Sequence, residues 1–303
     1  MLERLSKRVV GRRSELEAVV AALAARRHLL LEGPPGTGKS TVLRAVASEA
    51  GLGFEFVEGN AELTPARLVG TFDPSAVLTE GYSPEVFVDG PLVSALRDGS
   101  ILYLEELNRV PEETLNVLIT VMSEGEIHVP RLGRVAADPE FRLVAAMNPF
   151  DAVGTARIAS AVYDRCCRLS MDYQGAGEEC EIVTSVLGSV EPGPAQVAAT
   201  VAMVRDSRAH PDLRAGSSVR GAIDHALLCI ELAELRGVDV TEDSVTLDAA
   251  NLALSGRLRI REGSARRPED IVEELWAAHF GPDAQEPDAG GDQNPGGDGA
   301  GKA

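Results

Sequence analysis

Residues 33–40 read Gly-Pro-Pro-Gly-Thr-Gly-Lys-Ser and are followed by Thr41. The pattern G-x-x-x-x-G-K-[ST] is chemically demanding. Its glycines let successive backbone N–H groups turn inward around phosphate oxygens, and a helix that starts at the last of them adds the positive end of its dipole. Lys39 then supplies a point charge for the outer phosphates of a nucleotide, and the Ser40 hydroxyl supplies an oxygen for Mg²⁺. Gly33, Pro34, Pro35, Gly36, Thr37, Gly38, Lys39, Ser40 and Thr41 form the expected phosphate cradle. A second group of polar residues lies further along the chain. Glu105 and Glu106 follow the apolar run Ile101-Leu102-Tyr103-Leu104, and Asn148 follows Ala146-Met147. One carboxylate beside a phosphate loop can hold the metal shell, which assigns Glu105 and Ser40 to Mg²⁺. The next can orient or deprotonate a water, which assigns Glu106 to catalysis. The Asn148 amide suits the same water or the terminal phosphate.

These groups need a scaffold that brings distant segments to one edge. His28–Glu32, Phe54–Val57, Ile101–Leu104, Phe141–Met147 and Cys166–Met171 are short apolar runs that read as buried strands. Helical spacing fills the segments from Lys39 to Ala50 and from Pro111 to about Glu124. Covered strands that alternate with helices predict a mostly parallel sheet, and ligands of such sheets sit at the carboxyl ends of the strands. After about residue 175 only helical patterns follow: Glu178–Leu187, Ala195–Arg208, Val219–Leu235, Ser244–Ser255 and Pro268–Phe280. The expected organisation is an α/β core over 1–175, a helical domain over 176–280 and a tail over 281–303. The tail has five acids against one Lys and no Val, Leu, Ile or Phe, so its composition predicts disorder.

Charge narrows the function further. The 303 residues carry 29 basic and 47 acidic side chains, a net of -18, which disfavours nucleic acid and anionic membranes as partners. Four cysteines without C-x-x-C spacing predict free thiols rather than a metal site or a disulfide framework. No apolar run reaches the length of a membrane span, and the first residues lack a secretory pattern, so a cytoplasmic protein is expected.

In chain order, Val9-Val10-Gly11, the phosphate loop, Leu104-Glu105-Glu106-Leu107-Asn108-Arg109, Met147-Asn148-Pro149 and Tyr163-Asp164-Arg165 resemble an AAA+ ATPase. Within that superfamily the chain is similar to the MoxR group, whose relatives work in gas-vesicle formation and metalloenzyme activation. The resemblance runs from about Val9 to Arg220. It implies a P-loop NTPase with an AAA+ parallel-sheet core and a small helical lid domain, with ATP and Mg²⁺ as cofactors. It also implies individual roles. Val10 and Gly11 lie against adenine, Glu105 and Glu106 hold the Walker B positions, and Asn148 is sensor 1. Arg165 is the arginine finger reaching a neighbouring subunit, with Arg168 as a second choice, and Arg220 is sensor 2. Leu78–Pro91 resembles the insertion in the second helix and Glu124–Val135 a hairpin before sensor 1; both face the pore or a partner in related machines. The resemblance further implies a homo-oligomeric ring, hexameric, acting on a protein client, together with a partner carrying a von Willebrand factor A domain. One departure is that Glu105 stands where Asp is usual. It keeps open the alternative of a nucleotide-binding scaffold with slow hydrolysis, beside the alternative of a DNA-directed ATPase, which the acidity argues against.

Overall fold

The computed structural model describes residues 1–149, 160–188 and 191–282; the tail expected over 281–303 therefore lies, from residue 283 onward, outside the described residues. The chain divides into two compact units, the first ending at Glu178.

In the first unit, β1 (His28–Glu32), β2 (Phe54–Glu58), β3 (Ile101–Glu105), β4 (Arg142–Met147) and β5 (Cys166–Ser170) form one sheet in the order β2-β3-β4-β1-β5. All four pairings are parallel. The central strands are apolar almost throughout because both faces are covered. On one face Leu29, Leu31, Ile101, Tyr103, Val144 and Ala146 pack against Val42, Leu43 and Val46 of α2 (Lys39–Ala50), beside Leu16 and Val19 of α1 (Arg13–Ala24). On the other, Leu30, Leu102, Leu104, Leu143 and Ala145 meet Leu92 and Leu96 of α3 (Pro91–Asp98) and Leu115, Leu118 and Val121 of α4 (Glu112–Glu124). Strand alternation therefore puts Tyr103 and Glu105 on the α2 side. Parallel pairing brings the carboxyl ends of β1, β3 and β4 to one edge, where the phosphate loop, the two glutamates and Asn148 follow.

Two smaller elements decorate this core. Gly70–Phe72 pairs antiparallel with Phe87–Asp89. Between them lies the helix Pro74–Glu80, whose first turn is capped by Asp73 Oδ1 accepting from the Ser75 and Ala76 amides. Glu126–Val129 and Gly133–Ala136 form an antiparallel hairpin. The two decorations touch, with the Arg131 guanidinium 3.7 Å from the centre of the Tyr82 ring.

The second unit contains α6 (Pro194–Ala209), α7 (Val219–Arg236), α8 (Asp243–Leu254) and α9 (Pro268–Phe280), with α5 (Ala176–Leu187) running into it. Its core joins Val183, Val197, Val201, Val204, Leu254 and Ile271. The reading of helices alone needs one correction. Leu213–Ala215 pairs antiparallel with Arg259–Ile260. Two or three residues carrying arginines are too short for an alternating pattern to register.

Candidate nucleotide site

The phosphate loop begins where β1 ends. Gly33 sits so close to the neighbouring chain that a Cβ would lie 1.9 Å from the Met171 carbonyl oxygen, so no side chain fits there. Gly38 starts α2 at φ +82°, a left-handed conformation that glycine adopts without steric cost. The loop is braced internally, with the Thr37 hydroxyl donating to the Pro34 carbonyl at 3.0 Å. The buried Lys39 donates to the carbonyls of Gly33 at 2.8 Å and Pro34 at 2.9 Å. Its ammonium is thus held by the loop backbone itself.

From the first turn of α2 the Ser40 hydroxyl reaches β3. It lies 3.0 Å from Glu105 Oε1 and 3.0 Å from the Tyr103 hydroxyl. Tyr103 is fully buried, and burial raises its phenol further above the usual range. The two residues assigned to Mg²⁺ are therefore together despite the 65-residue separation in sequence. Hydroxyl and carboxylate oxygens are hard donors suited to Mg²⁺. Among the described residues no cluster of three or more His, Cys, Asp or Glu stands ready for a metal. A cation at Ser40 and Glu105 would therefore take its remaining ligands from water and phosphate, as Mg²⁺ does in nucleotide sites.

Glu106 differs from its neighbour in every local respect. Its φ of +54° is left-handed, a conformation that costs a non-glycine residue about 1–3 kcal/mol. Its Oε2 is buried and makes no hydrogen bond, although Arg109 Nε stands 3.2 Å away as an ion pair. Beside it the buried Asn108 donates through Nδ2 to the Asn148 carbonyl at 3.5 Å. The ends of β3 and β4 are thereby joined, and Asn148 stands half-buried at that edge.

Val10 is half-buried and Gly11 exposed, beside a cavity of about 460 Å³ lined by Val9, Gly11, Arg12 and Glu178 among others. No phosphate-loop residue lines that cavity. Arg12, absent from the sequence reading, is only 4% exposed. It donates to the Thr37 carbonyl at 2.9 Å, to Gln174 Oε1 at 3.1 Å and to the Asp172 carbonyl, and it pairs with Glu15. Gln174 in turn donates to the Val10 carbonyl at 3.3 Å. One buried guanidinium thus ties the N-terminal segment, the phosphate loop and the stretch after β5 together. Glu32, also missed, is 2% exposed at the root of the loop. It accepts from the Tyr163 hydroxyl at 2.9 Å and pairs with Arg168. Arg165 instead donates to Ser123 Oγ at 2.6 Å and to the Ala161 carbonyl at 3.0 Å. Arg220 is exposed in the first turn of α7, in the second unit.

Residues 28–166 match the family model described as an AAA domain of the dynein-related subfamily. The gas vesicle ATPase GvpN of Ancylobacter aquaticus is 28% identical over 263 residues, spanning 81% of this chain and 71% of GvpN. The chain resembles the MoxR-like AAA+ ATPases at moderate identity over most of its length. A second relative, the YeaC protein of Bacillus subtilis, is 29% identical over 73% of this chain and 74% of its own. Among solved structures, the RuvB Holliday junction branch migration motor of Thermotoga maritima has a TM-score of 0.55 at 20% identity, covering 80% of this chain and 70% of RuvB. At that identity it shows the fold alone. The expected AAA+ architecture, a parallel core sheet followed by a helical lid region, is present. AAA+ domains bind and hydrolyse ATP with Mg²⁺, and this ATPase has, among its described residues, no helix long and apolar enough to cross a membrane.

Proposed function

We propose that this ATPase works as a ring of identical subunits, six by the MoxR resemblance, and uses hydrolysis to remodel a protein client. The observation that carries the ring is the contrast between two arginines. Arg168 is committed to the buried Glu32 of its own chain. Arg165 bonds only to Ser123, Ala161 and Asp164 among the described residues, none of them in the phosphate loop. An arginine finger given to a neighbour needs that freedom from its own site, which favours Arg165 over Arg168.

Within each site we assign the work residue by residue. The loop from Gly33 to Thr41 would hold the phosphates of ATP by backbone N–H groups, with Val10 and Gly11 near the base. Lys39 would exchange its carbonyl partners for phosphate oxygens. Ser40 and Glu105 would hold Mg²⁺, which when bound neutralises charge on the outer phosphates. The carboxylate of Glu106 has an oxygen without a hydrogen bond, and it would accept the proton of an attacking water and aim it in line. Asn148 would fix that water or the terminal phosphate, and Arg165 of the neighbour would stabilise the charge that develops. Arg220 would follow the phosphates from the lid.

The protein-client reading draws on the two decorations of the core. Leu78 is 88% exposed, with Tyr82 and Val88 also exposed on the same insertion, and the hairpin arginine Arg131 covers the Tyr82 ring. Apolar side chains presented in this way suit protein contact, while a net charge of -18 suits nucleic acid poorly.

Mixing separates the ring from a self-contained site. Arg165→Ala and Lys39→Ala subunits are each expected to lose activity, the first by about 10³-fold. Combined in one assembly they are expected to regain part of it, because an intact finger then faces an intact phosphate loop. Absence of rescue in assemblies shown to contain both variants would refute the finger assignment.

A further inference from the structure

Ser40, Glu105 and Tyr103 meet at one point, and the third is not part of the phosphate-loop or glutamate motifs. A serine hydroxyl has one proton and two lone pairs, whereas an ionised carboxylate can only accept. With Ser40 Oγ 3.0 Å from Glu105 Oε1, the serine proton belongs to Glu105. The Tyr103 hydroxyl, 3.0 Å from the same Oγ, must then donate to it. Those two bonds use the proton and one lone pair, and they leave one lone pair for a cation.

The phenol is in turn fixed by its surroundings. Tyr103 is paired with Phe56 across the β2–β3 ladder. Its ring lies 5.8 Å, centre to centre, from both Phe54 and Phe56. Arg44, from the same helix as Ser40, stands over those two rings at 4.9 and 5.4 Å. Aromatic and cation–π contacts of this kind hold the ring where a flexible side chain would turn. Glu105 carries one methylene more than the Asp usual at its position, and it shares its face of β3 with Tyr103.

We infer that Tyr103 is a positioning residue for the metal: its hydroxyl fixes the direction of the Ser40 hydroxyl, so that a serine lone pair points to Mg²⁺. This rests on the proposal that Ser40 and Glu105 hold the cation.

The test titrates Mg²⁺ against full-length protein and a fluorescent ATP analogue, reading the Mg²⁺ midpoint of binding and, separately, binding in excess EDTA. Tyr103→Phe keeps the ring and removes only the hydroxyl. It is expected to raise the Mg²⁺ midpoint by about tenfold while binding in EDTA stays at the wild-type level. Ser40→Ala is expected to raise the midpoint at least as far. A tyrosine that only supported the fold would weaken both kinds of binding together, and that result would overturn the inference. A shift in Ser40→Ala without one in Tyr103→Phe would also overturn it. No shift in either variant would instead sink the assignment of the metal to Ser40, and the inference with it.

Discussion

At the end of β3, Glu106 keeps a buried carboxylate oxygen without a hydrogen bond on a left-handed backbone. In the second unit, the fully buried His225 has a partner on each ring nitrogen. Its Nε2–H donates to the Thr246 carbonyl at 3.1 Å, and Nδ1 accepts the Thr200 hydroxyl at 3.0 Å. Trp276 completes this group by donating to Thr246 Oγ1 at 3.0 Å. The His225 group is buried and closes on itself, whereas the Glu106 side chain is half-buried and its inner oxygen faces only the Arg109 ion pair among the described residues. A buried acceptor without a hydrogen bond is costly; at Glu106 the Arg109 ion pair offsets part of that cost, while the left-handed backbone adds strain. Such costs collect where a group must stay ready for something outside the fold. A closed network instead buries polar atoms at little net cost and fixes the register of the helices that contribute to it.

The contrast breaks most sharply under substitution. Lys39→Ala should lower nucleotide affinity by about 100-fold or more, since it removes several charge-assisted contacts, while thermal unfolding stays near that of the parent chain. His225→Ala should do the reverse. Losing the imidazole takes the Thr200 hydroxyl's side-chain partner, removes one donor from the Thr246 carbonyl and opens a cavity, at a cost of about 2–4 kcal/mol in urea unfolding, while the folded fraction still binds nucleotide. If Lys39→Ala unfolded the protein, or His225→Ala abolished nucleotide binding in folded material, the division between the clusters would fail.

A smaller effect separates them by pH. Burial lowers His225 to about 4, and burial with Arg142 and Arg27 nearby lowers His28 to about 4. Unfolded imidazoles take up protons near pH 6.5 that these folded sites refuse until about 4. Stability is therefore full above pH 6.5 and declines as pH falls through that window. For His225 the loss at pH 5 is about 2 kcal/mol. Urea unfolding at pH 7 and pH 5 should show it, and His225→Gln should shrink the difference by about that amount. An unchanged difference would mean that the ring is not held neutral by its burial.

Much of the scaffold is legible because its signals are local. The apolar run His28–Glu32, the glycines of the loop and the spacing of Val42, Leu43 and Val46 each declare their element within a few residues. The assembled set at Ser40, Tyr103 and Glu105 is only half legible. Strand alternation puts Tyr103 with Glu105, but its contact with Ser40 depends on how α2 packs across the sheet. Arg12 and Glu32 were invisible for a related reason. An arginine after a glycine and a glutamate at a strand end look solvated, and only the fold reveals that both are buried against the loop. The short pair Leu213–Ala215 and Arg259–Ile260 escaped because tertiary placement, not pattern, makes those residues strands.

Glu106→Gln carries the central claim that the open cluster exists to act on water. The variant preserves shape and removes the basic oxygen. ATP binding, measured with a fluorescent analogue, should match the parent protein, while steady-state phosphate release should fall by about 100-fold or more. Phosphate release at the parent rate, with binding intact, would contradict the account and return the buried oxygen of Glu106 to an unexplained cost in the fold.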